Sequence, residues 1–183
     1  GFPRERMKQI LDWNRRNGVD TVAGLNEAVR SGRIKEVIAA SLAVYEASLD
    51  EAAQKVLSRL NVGNRLRMIW VSGPSSSGKT TTTVKLTQRL KKQGLRFLML
   101  NLDDYFWSLV EHPTDWINDR NYETPEALDI QLLNQHLRAL LDGQTIEKPI
   151  YSFMEGRRVG TKPVRLEPDQ ILLLDCLHGF YPP

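Results

Sequence analysis

Gly73-Pro-Ser-Ser-Ser-Gly-Lys-Thr80 is the most informative stretch of this 183-residue chain. Its spacing, G-x-x-x-x-G-K-[S/T], is typical of a phosphate-binding loop. The apolar run Met68-Ile-Trp-Val71 precedes it and predicts a strand, and residues 81–93 follow with a helical pattern. In this context the loop turns its backbone N–H groups inward, and the helix adds the positive end of its dipole. The sequence therefore predicts a site for phosphate oxygens.

The loop predicts ATP and Mg²⁺ as the cofactors. Lys79 is expected to reach the β and γ phosphates, and the Thr80 hydroxyl is expected to ligate Mg²⁺. The predicted nucleotide-binding residues are consecutive: Gly73, Pro74, Ser75, Ser76, Ser77, Gly78, Lys79, Thr80 and Thr81.

The composition, 41% apolar and 26% charged, predicts a soluble globular protein with one good core. No apolar run is long enough to span a bilayer, and the start lacks the basic and then apolar pattern of a secretory signal. A single cysteine, Cys176, cannot form an internal disulfide. We therefore expect a cytoplasmic location and no membrane partner.

The positive charge of the chain lies in its first part. Residues 1–70 carry 12 Lys and Arg against 8 Asp and Glu, and the remainder carries 13 against 14. No basic run of five or more interleaves with aromatic residues, so we interpret the excess as a solvated helical face and expect no nucleic-acid partner. The chain starts at Gly1 and stops at Pro183, which we interpret as a fragment.

Residues 1–62 are predicted to form a small helical segment. Helical spacing of apolar residues indicates one helix over 4–17 and a second from Val22, capped by Asp20 or Thr21. A third helix from Ile34 is predicted to break at Ser48-Leu-Asp-Glu51, which has the form of a capping box, before a fourth begins.

Residues 63–183 alternate strand and helix, which predicts an α/β domain with a parallel sheet and flanking helices. The second strand is nearly all apolar, as a strand buried on both faces is, and it leads into Asp103-Asp104-Tyr105-Phe106. The third ends in Asp175, a pattern typical of a Walker B strand. Ligands of open α/β sheets bind at the carboxyl ends of strands. The predicted strands are 67–72, 96–102 and 171–174.

Further elements are predicted between the second and third strands. Thr124 is expected to cap a helix that ends at Gly143, with Pro125 at its first position. Two extended arms, 146–153 and 159–166, predict a hairpin near the substrate. His112 and His136 are expected on the surface. We expect the sheet of this fragment to be short of strands, with exposed apolar surface or pairing with another copy in a homo-oligomer.

Together the motifs resemble the uridine kinase and phosphoribulokinase family of P-loop kinases over residues 65–183. The five blocks that carry the resemblance are the phosphate loop, Asp103–Phe106, Tyr122-Glu-Thr-Pro-Glu-Ala-Leu-Asp129, Pro149-Ile-Tyr-Ser-Phe153 and Asp175-Cys-Leu-His-Gly179. Residues 7–60 are similar, more weakly, to the segment that precedes the loop in longer bacterial uridine-kinase-like proteins. The resemblance implies a P-loop kinase fold and a fragment that lacks the C-terminal lid region.

The resemblance also implies roles for individual residues. Asp103 matches the aspartate that accepts the proton of the nucleoside 5′-hydroxyl and stands near Mg²⁺, and Asp175 matches an acidic residue at the metal. Phosphoryl transfer independently requires an in-line hydroxyl, a carboxylate to orient it and cations on the γ-phosphate. The predicted catalytic residues are Asp103 and Lys79, the metal ligands Thr80, Asp103 and Asp175, and the substrate-binding residues Tyr122, Glu123, Tyr151 and Arg157.

Three functions remain open at this point. The first is ATP-dependent phosphoryl transfer to a nucleoside hydroxyl. The second is a kinase of another small alcohol, such as a sugar phosphate, because Gly156 stands where pyrimidine-specific relatives carry a base-contacting histidine. The third is a non-catalytic nucleotide-binding module. Asp104 is expected to support its neighbours, and Arg157 and Arg158 either anchor a substrate phosphate or are simply solvated.

Overall fold

The computed structural model describes residues 4–61, 66–73 and 77–176. The chain divides into two compact units, Gly1–Glu51 and Ala52–Pro183. The predicted boundary between residues 62 and 63 lies outside the described residues. The helices are α1 (Arg4–Arg16), α2 (Val22–Arg30), α3 (Ile34–Asn61), α4 (Lys79–Lys91) and α5 (Ile130–Leu141). The strands are β1 (Met68–Ser72), β2 (Arg96–Asn101), β3 (Thr145–Ser152), β4 (Arg157–Arg165) and β5 (Gln170–Cys176).

The first unit contains α1, α2 and most of α3. Thr21 caps α2, because its hydroxyl oxygen accepts a hydrogen bond from the Gly24 N–H at 3.1 Å. Ala28, Val37 and Leu49 are its buried apolar residues among those described, and α1 buries none. The core of this unit is therefore small.

The predicted break at Ser48–Glu51 is wrong, because α3 runs through it without interruption. The Ser48 hydroxyl donates to the Val44 carbonyl at 2.9 Å, a bond within the helix rather than a cap. Leu49 is buried at the next position. Among the described residues, α3 and the other helices include none that is both long and apolar enough to cross a membrane.

The second unit is built on a parallel sheet whose described strands have the order β1-β5-β2. This confirms the predicted α/β class and the parallel pairing. β5 is the central strand, and its residues Leu172, Leu173 and Leu174 are completely buried. The register places Asp175 beside Val71 of β1 and Asn101 of β2. Asp175 therefore lies at the middle of the carboxyl edge of the sheet.

The expectation that β2 is buried on both faces is wrong. Leu100 is buried, but Met99 is 52% exposed on the opposite face. Among the described strands β2 pairs only with β5, so it lies at an edge and its outer face is incompletely covered. An apolar sequence does not distinguish this position from a central one.

The helix predicted to begin after Thr124 begins later, at Ile130. Asp129 is its cap, since the Asp129 carboxylate accepts from the Leu132 N–H at 2.9 Å. Thr124 precedes a separate 3₁₀ turn, Pro125–Ala127, in which the proline takes the first position as predicted. α5 packs its leucines against the sheet and the hairpin in one core of buried residues: Leu100, Leu102, Tyr105, Leu133, Leu137, Leu140, Ile146, Leu166, Leu172, Leu174 and Cys176.

The predicted hairpin is confirmed, because β3 and β4 pair antiparallel. The register shifts between Ile150 and Tyr151, where β4 leaves one residue unpaired. Gly156 sits in the connecting turn with φ +62° and is buried. Its carbonyl accepts from the Leu109 N–H at 2.6 Å. The turn of the hairpin is therefore attached to the segment that follows β2.

Candidate active site

The phosphate loop connects β1 to α4, as predicted. Gly78 has φ +83°, a left-handed conformation that favours glycine, and its carbonyl accepts from Thr82 N–H at 2.9 Å. A Cβ added at Gly73 would lie 3.1 Å from Ser77 Oγ, so the two ends of the loop approach closely. Lys79 opens the helix. The predicted contributions of Pro74, Ser75 and Ser76 lie outside the described residues.

A cleft of about 300 Å³ opens at the carboxyl edge of the sheet. This is the position at which open α/β sheets bind ligands. The cleft brings together six predicted site residues from four separate segments of the chain. Its lining comprises Lys79, Thr80, Asn101, Asp103, Phe106, Tyr122, Glu123, Phe153, Asp175 and Cys176.

Asp103 is held in a 3₁₀ turn, Leu102–Tyr105, directly after β2. The Asn101 side chain caps this turn by accepting from the Asp103 N–H at 3.0 Å. Burial raises the pKa of the Asp103 carboxyl, and the neighbouring Asp175 raises it further, while Asn101 and Lys79 oppose the shift. A carboxyl with a raised pKa in a cleft is a candidate proton acceptor.

Asp175 has the features of a metal ligand. Its Oδ1 is buried and has no hydrogen-bond partner among the described residues. An unpartnered buried carboxylate oxygen costs free energy unless a cation or donor meets it. With the Thr80 hydroxyl and Asp103 lining the same cleft, the oxygen donors present fit Mg²⁺, which prefers such ligands. No group of three His, Cys, Asp or Glu converges as a metal cage within the described ranges, so phosphate and water oxygens would complete the coordination.

The opposite side of the cleft is aromatic. The Phe106 ring lies 5.1 Å from Tyr122 and 6.1 Å from Phe153, measured between ring centroids. Glu123 lines the cleft beside them, and the Asn121 side chain accepts from its N–H at 2.8 Å. This wall therefore offers flat apolar faces for a ring and a carboxylate for hydroxyl groups.

Tyr151 and Arg157, two predicted substrate-binding residues, are not among the residues that line the cleft. Tyr151 is buried behind Phe106, and its hydroxyl lies 3.3 Å from that of Tyr122. Burial, followed by the Tyr122 hydroxyl, raises the pKa of Tyr151. Arg157 is exposed on the hairpin and forms an ion pair with Glu155 at 2.6 Å. Tyr151 supports the aromatic wall from behind, and the role of Arg157 stays a prediction.

Asp104 points away from the cleft and connects the 3₁₀ turn to the hairpin. One carboxylate oxygen pairs with Lys148, and the other accepts from the Tyr151 N–H at 3.2 Å. Lys148 is 6% exposed, so this ion pair is largely removed from water. Asp104 therefore supports its neighbours, as the sequence suggested.

His112, predicted on the surface, is buried instead, whereas His136 is partly exposed. His112 is 2% exposed, with its Nε2 3.0 Å from the Trp107 carbonyl and its ring 4.5 Å from that of Tyr122. His136 Nδ1 lies 3.0 Å from the Tyr105 hydroxyl, and burial lowers the pKa of His136. Sequence reasoning also missed Asn101, Phe106 and Phe153 as cleft residues. Asn101 was detectable in principle, because an asparagine before a turn commonly caps it.

Comparison with known proteins agrees with this arrangement. The Phosphoribulokinase / Uridine kinase family matches residues 68–182. Uridine kinase from Ligilactobacillus salivarius (strain UCC118) is 36% identical over 115 residues, which is 63% of this chain and 53% of that protein. Uridine kinase from Halobacterium salinarum (strain ATCC 700922 / JCM 11081 / NRC-1) is 33% identical over 107 residues, 58% of this chain and 46% of that protein.

The fold also has a counterpart among solved structures. A possible uridine kinase from Bacillus stearothermophilus matches with a TM-score of 0.57 at 20% identity, covering 72% of this chain and 71% of that one. At this identity the likeness concerns the fold alone. The chain spans about half the length of the curated relatives it matches.

Proposed function

The chain belongs to the phosphoribulokinase and uridine kinase family, and from this premise we propose that it transfers the γ-phosphoryl group of ATP to a nucleoside hydroxyl. One observation carries the proposal. A single cleft joins the start of the phosphate-loop helix to a carboxyl with a raised pKa and an aromatic wall. A phosphate donor and a ring-bearing alcohol would meet at Asp103.

The donor end of the cleft consists of the loop and α4. The backbone N–H groups at the start of the helix would bind phosphate oxygens, and Lys79 would place its ammonium group on the β and γ phosphates. Thr80, Asp103 and Asp175 would hold Mg²⁺, which when bound neutralises charge on the phosphates. The unpartnered oxygen of Asp175 supports this assignment.

The acceptor end consists of Asp103 and the aromatic wall. Asp103 would orient the acceptor hydroxyl and accept its proton as the oxygen attacks, a role that its raised pKa supports. Phe106 and Tyr122 would contact the base, and Glu123 would accept hydrogen bonds from sugar hydroxyls. We place the reaction in the cytoplasm, where MgATP is available.

The test is acceptor-dependent release of ADP. Uridine, cytidine and ribulose 5-phosphate would be compared as acceptors for the wild-type chain and Asp103→Asn. We expect a nucleoside to stimulate ADP release, and Asp103→Asn to lower turnover by about 10²–10⁴ while MgATP affinity is retained. Asp169→Asn is the matched control, because Asp169 is an exposed ion-pair partner of Arg96 at the opposite edge of the sheet.

Three results would contradict parts of the proposal. Stimulation by ribulose 5-phosphate alone would assign another small alcohol as the acceptor. MgATP binding without stimulation by any acceptor would indicate a nucleotide-binding module. Undiminished turnover in Asp103→Asn would remove Asp103 as the proton acceptor.

A further inference from the structure

Arg158, on β4, contacts the backbone of the turn that carries the proposed catalytic carboxylate. Its Nη2 donates to the Tyr105 carbonyl at 2.9 Å, and its Nε donates to the Phe106 carbonyl at 3.1 Å. These bonds join residues 52 and 53 positions apart in the sequence. Arg158 is not among the residues that line the cleft. We infer that Arg158 is a positioning residue that fixes Asp103 and Phe106 for the proposed phosphoryl transfer, an inference that rests on the proposed function.

A second set of bonds fixes Arg158 itself. Its Nη1 and Nη2 both lie 3.2 Å from Asp129 Oδ2, and the Asp129 side chain is only 9% exposed. The other oxygen of Asp129 caps α5 through Leu132, and the Asp129 N–H donates to the Tyr105 carbonyl at 2.9 Å. Arg158 and Asp129 therefore meet at the same carbonyl, which joins the hairpin and the start of α5 to the turn.

The guanidinium group is required for this geometry. It is planar and presents donors in several fixed directions, whereas a lysine ammonium is a point charge on a flexible stem. Arg158 uses three of its nitrogens on three acceptor groups. Its guanidinium carbon also lies 5.3 Å from the centroid of the Trp107 ring, where a cation is attracted to an aromatic face. Lysine at this position could not satisfy all of these partners.

The bonds reach the proposed chemistry through a short stretch of backbone. The Phe106 N–H donates to the Asp103 carbonyl at 3.4 Å, and the Trp107 N–H donates to the Ala127 carbonyl at 2.9 Å. The Phe106 ring lines the cleft, and Asp103 lies two residues before Tyr105. Loss of Arg158 would remove the side-chain donor from the Phe106 carbonyl and leave the Tyr105 carbonyl with the Asp129 N–H alone. The turn would then sample positions in which the carboxylate and the ring are misaligned, which lowers turnover more than ATP binding.

The experiment compares the wild-type chain with Arg158→Ala, Arg158→Lys and the control Arg165→Ala, which removes an exposed arginine from the other end of β4. Hydrogen exchange measured by mass spectrometry reports on the turn directly. We expect Phe106 and Trp107 amides to exchange at least about tenfold faster in Arg158→Ala, with β5 and α4 unchanged, since local opening raises exchange. In Arg158→Lys the same two amides should exchange nearly as fast as in Arg158→Ala. In Arg165→Ala their exchange rates should equal those of the wild type.

Kinetics provide a second measurement. We expect Arg158→Ala to lower kcat by about tenfold to a hundredfold while MgATP affinity stays within about twofold, because a small displacement of reacting groups costs this much. Millimolar guanidinium ion should restore part of the turnover of Arg158→Ala and none of that of Arg158→Lys. Arg158→Ala leaves the buried carboxylate of Asp129 without its cation, which could prevent the variant from folding. The double variant Arg158→Ala/Asp129→Asn removes that charge and serves as the test if the single variant does not fold.

Unchanged exchange in the turn, or a loss of turnover matched by an equal loss of MgATP affinity, would overturn the inference. Rescue by lysine would overturn it as well, because charge alone would then suffice. A wild-type chain without turnover on any acceptor would contradict the proposed function. The exchange rates would still decide whether Arg158 holds the turn.

Discussion

Burial raises the pKa of the Asp103 carboxyl, and the carboxylate of Asp175, which lines the same cleft, raises it further. The two acids come from neighbouring strands of a parallel sheet, since Asp175 pairs in register with Asn101 and Asp103 follows two residues later. Without a cation their proximity is unfavourable. The cleft is therefore built at a cost in stability that a bound metal would offset.

The first prediction concerns the stability of the chain without ligands. The folded pKa of Asp103 lies above its unfolded value, so the folded state holds the proton more tightly. Stability is then lost as the pH rises from the ordinary carboxyl range through the folded pKa. Asp103→Asn has no carboxyl at this position and therefore does not lose stability in this way as the pH rises. We expect its melting temperature, relative to that of the wild type, to be higher at pH 7 than at about pH 3, where the Asp103 carboxyl of the wild type is protonated.

Circular dichroism melts at both pH values, without divalent cations, would measure this difference. Asp169→Asn, which makes the same substitution at an exposed position outside the cleft, is the control. A difference between Asp103→Asn and the wild type that is the same at both pH values would contradict the assigned burial of this carboxyl.

The second prediction concerns Gly156. Its φ of +62° is unfavourable for other residues, and an added Cβ would lie 2.9 Å from the Leu109 Cβ. We expect Gly156→Ala to lower the free energy of unfolding by at least about 1–2 kcal/mol, the cost of a left-handed backbone. Gly160→Ala is the matched control in the same hairpin, because nothing lies within 4 Å of its added Cβ.

Urea denaturation would compare these glycine variants. Gly156→Ala in a Leu109→Gly background, which lacks the Leu109 Cβ, should recover the part of the loss due to the contact but not the part due to the backbone. Equal stability of Gly156→Ala and Gly160→Ala would contradict the turn geometry described for Gly156.

The third prediction concerns the ion pair between Lys148 and Asp104. Lys148→Met leaves the Asp104 carboxylate without its cation in a largely buried position. Breaking such a pair costs about 3–5 kcal/mol, and removing both charges costs much less. We therefore expect the double variant Lys148→Met/Asp104→Asn to be more stable than Lys148→Met. Lys162→Met, which changes the exposed lysine directly opposite on β4, is the control.

Chemical denaturation of these variants would decide whether Asp104 is structural. If Lys148→Met and Lys162→Met had the same stability, the pair would contribute nothing. The role assigned to Asp104 would then be wrong.

Sequence reasoning predicted the elements whose signals are local. The strand and helix that flank the phosphate loop, the buried β5 and the hairpin each carry their pattern within a few consecutive residues, and each is confirmed. The first residue of a helix was harder to predict, because several residue types can serve as its N-cap. Thr124 and Asp129 are both good caps, and only packing of the leucines of α5 against the sheet selects Asp129. The capping box at Ser48–Glu51 fails similarly, because the helix continues through it.

The partners of charged and polar side chains were not predictable from spacing. Arg158 contacts carbonyls 52 and 53 residues earlier in the chain, and no local pattern indicates such a bond. The burial of His112 depends on Phe106 and Tyr122, which come together only when the segment after β2 folds back. The residues at the carboxyl ends of β2 and β5 were predictable, because parallel strands bring those ends to one edge.

The central claim is that Lys79 and its loop form a nucleotide site, and a calorimetric titration of this chain with MgATP tests it most directly. The wild type and Lys79→Ala would be compared, with Lys162→Ala as an exposed-lysine control. We expect micromolar binding in the wild type and the control, weakened at least about tenfold in Lys79→Ala, because a charge-assisted bond to phosphate is lost. Equal binding by Lys79→Ala, or no binding by the wild type, would contradict the claim.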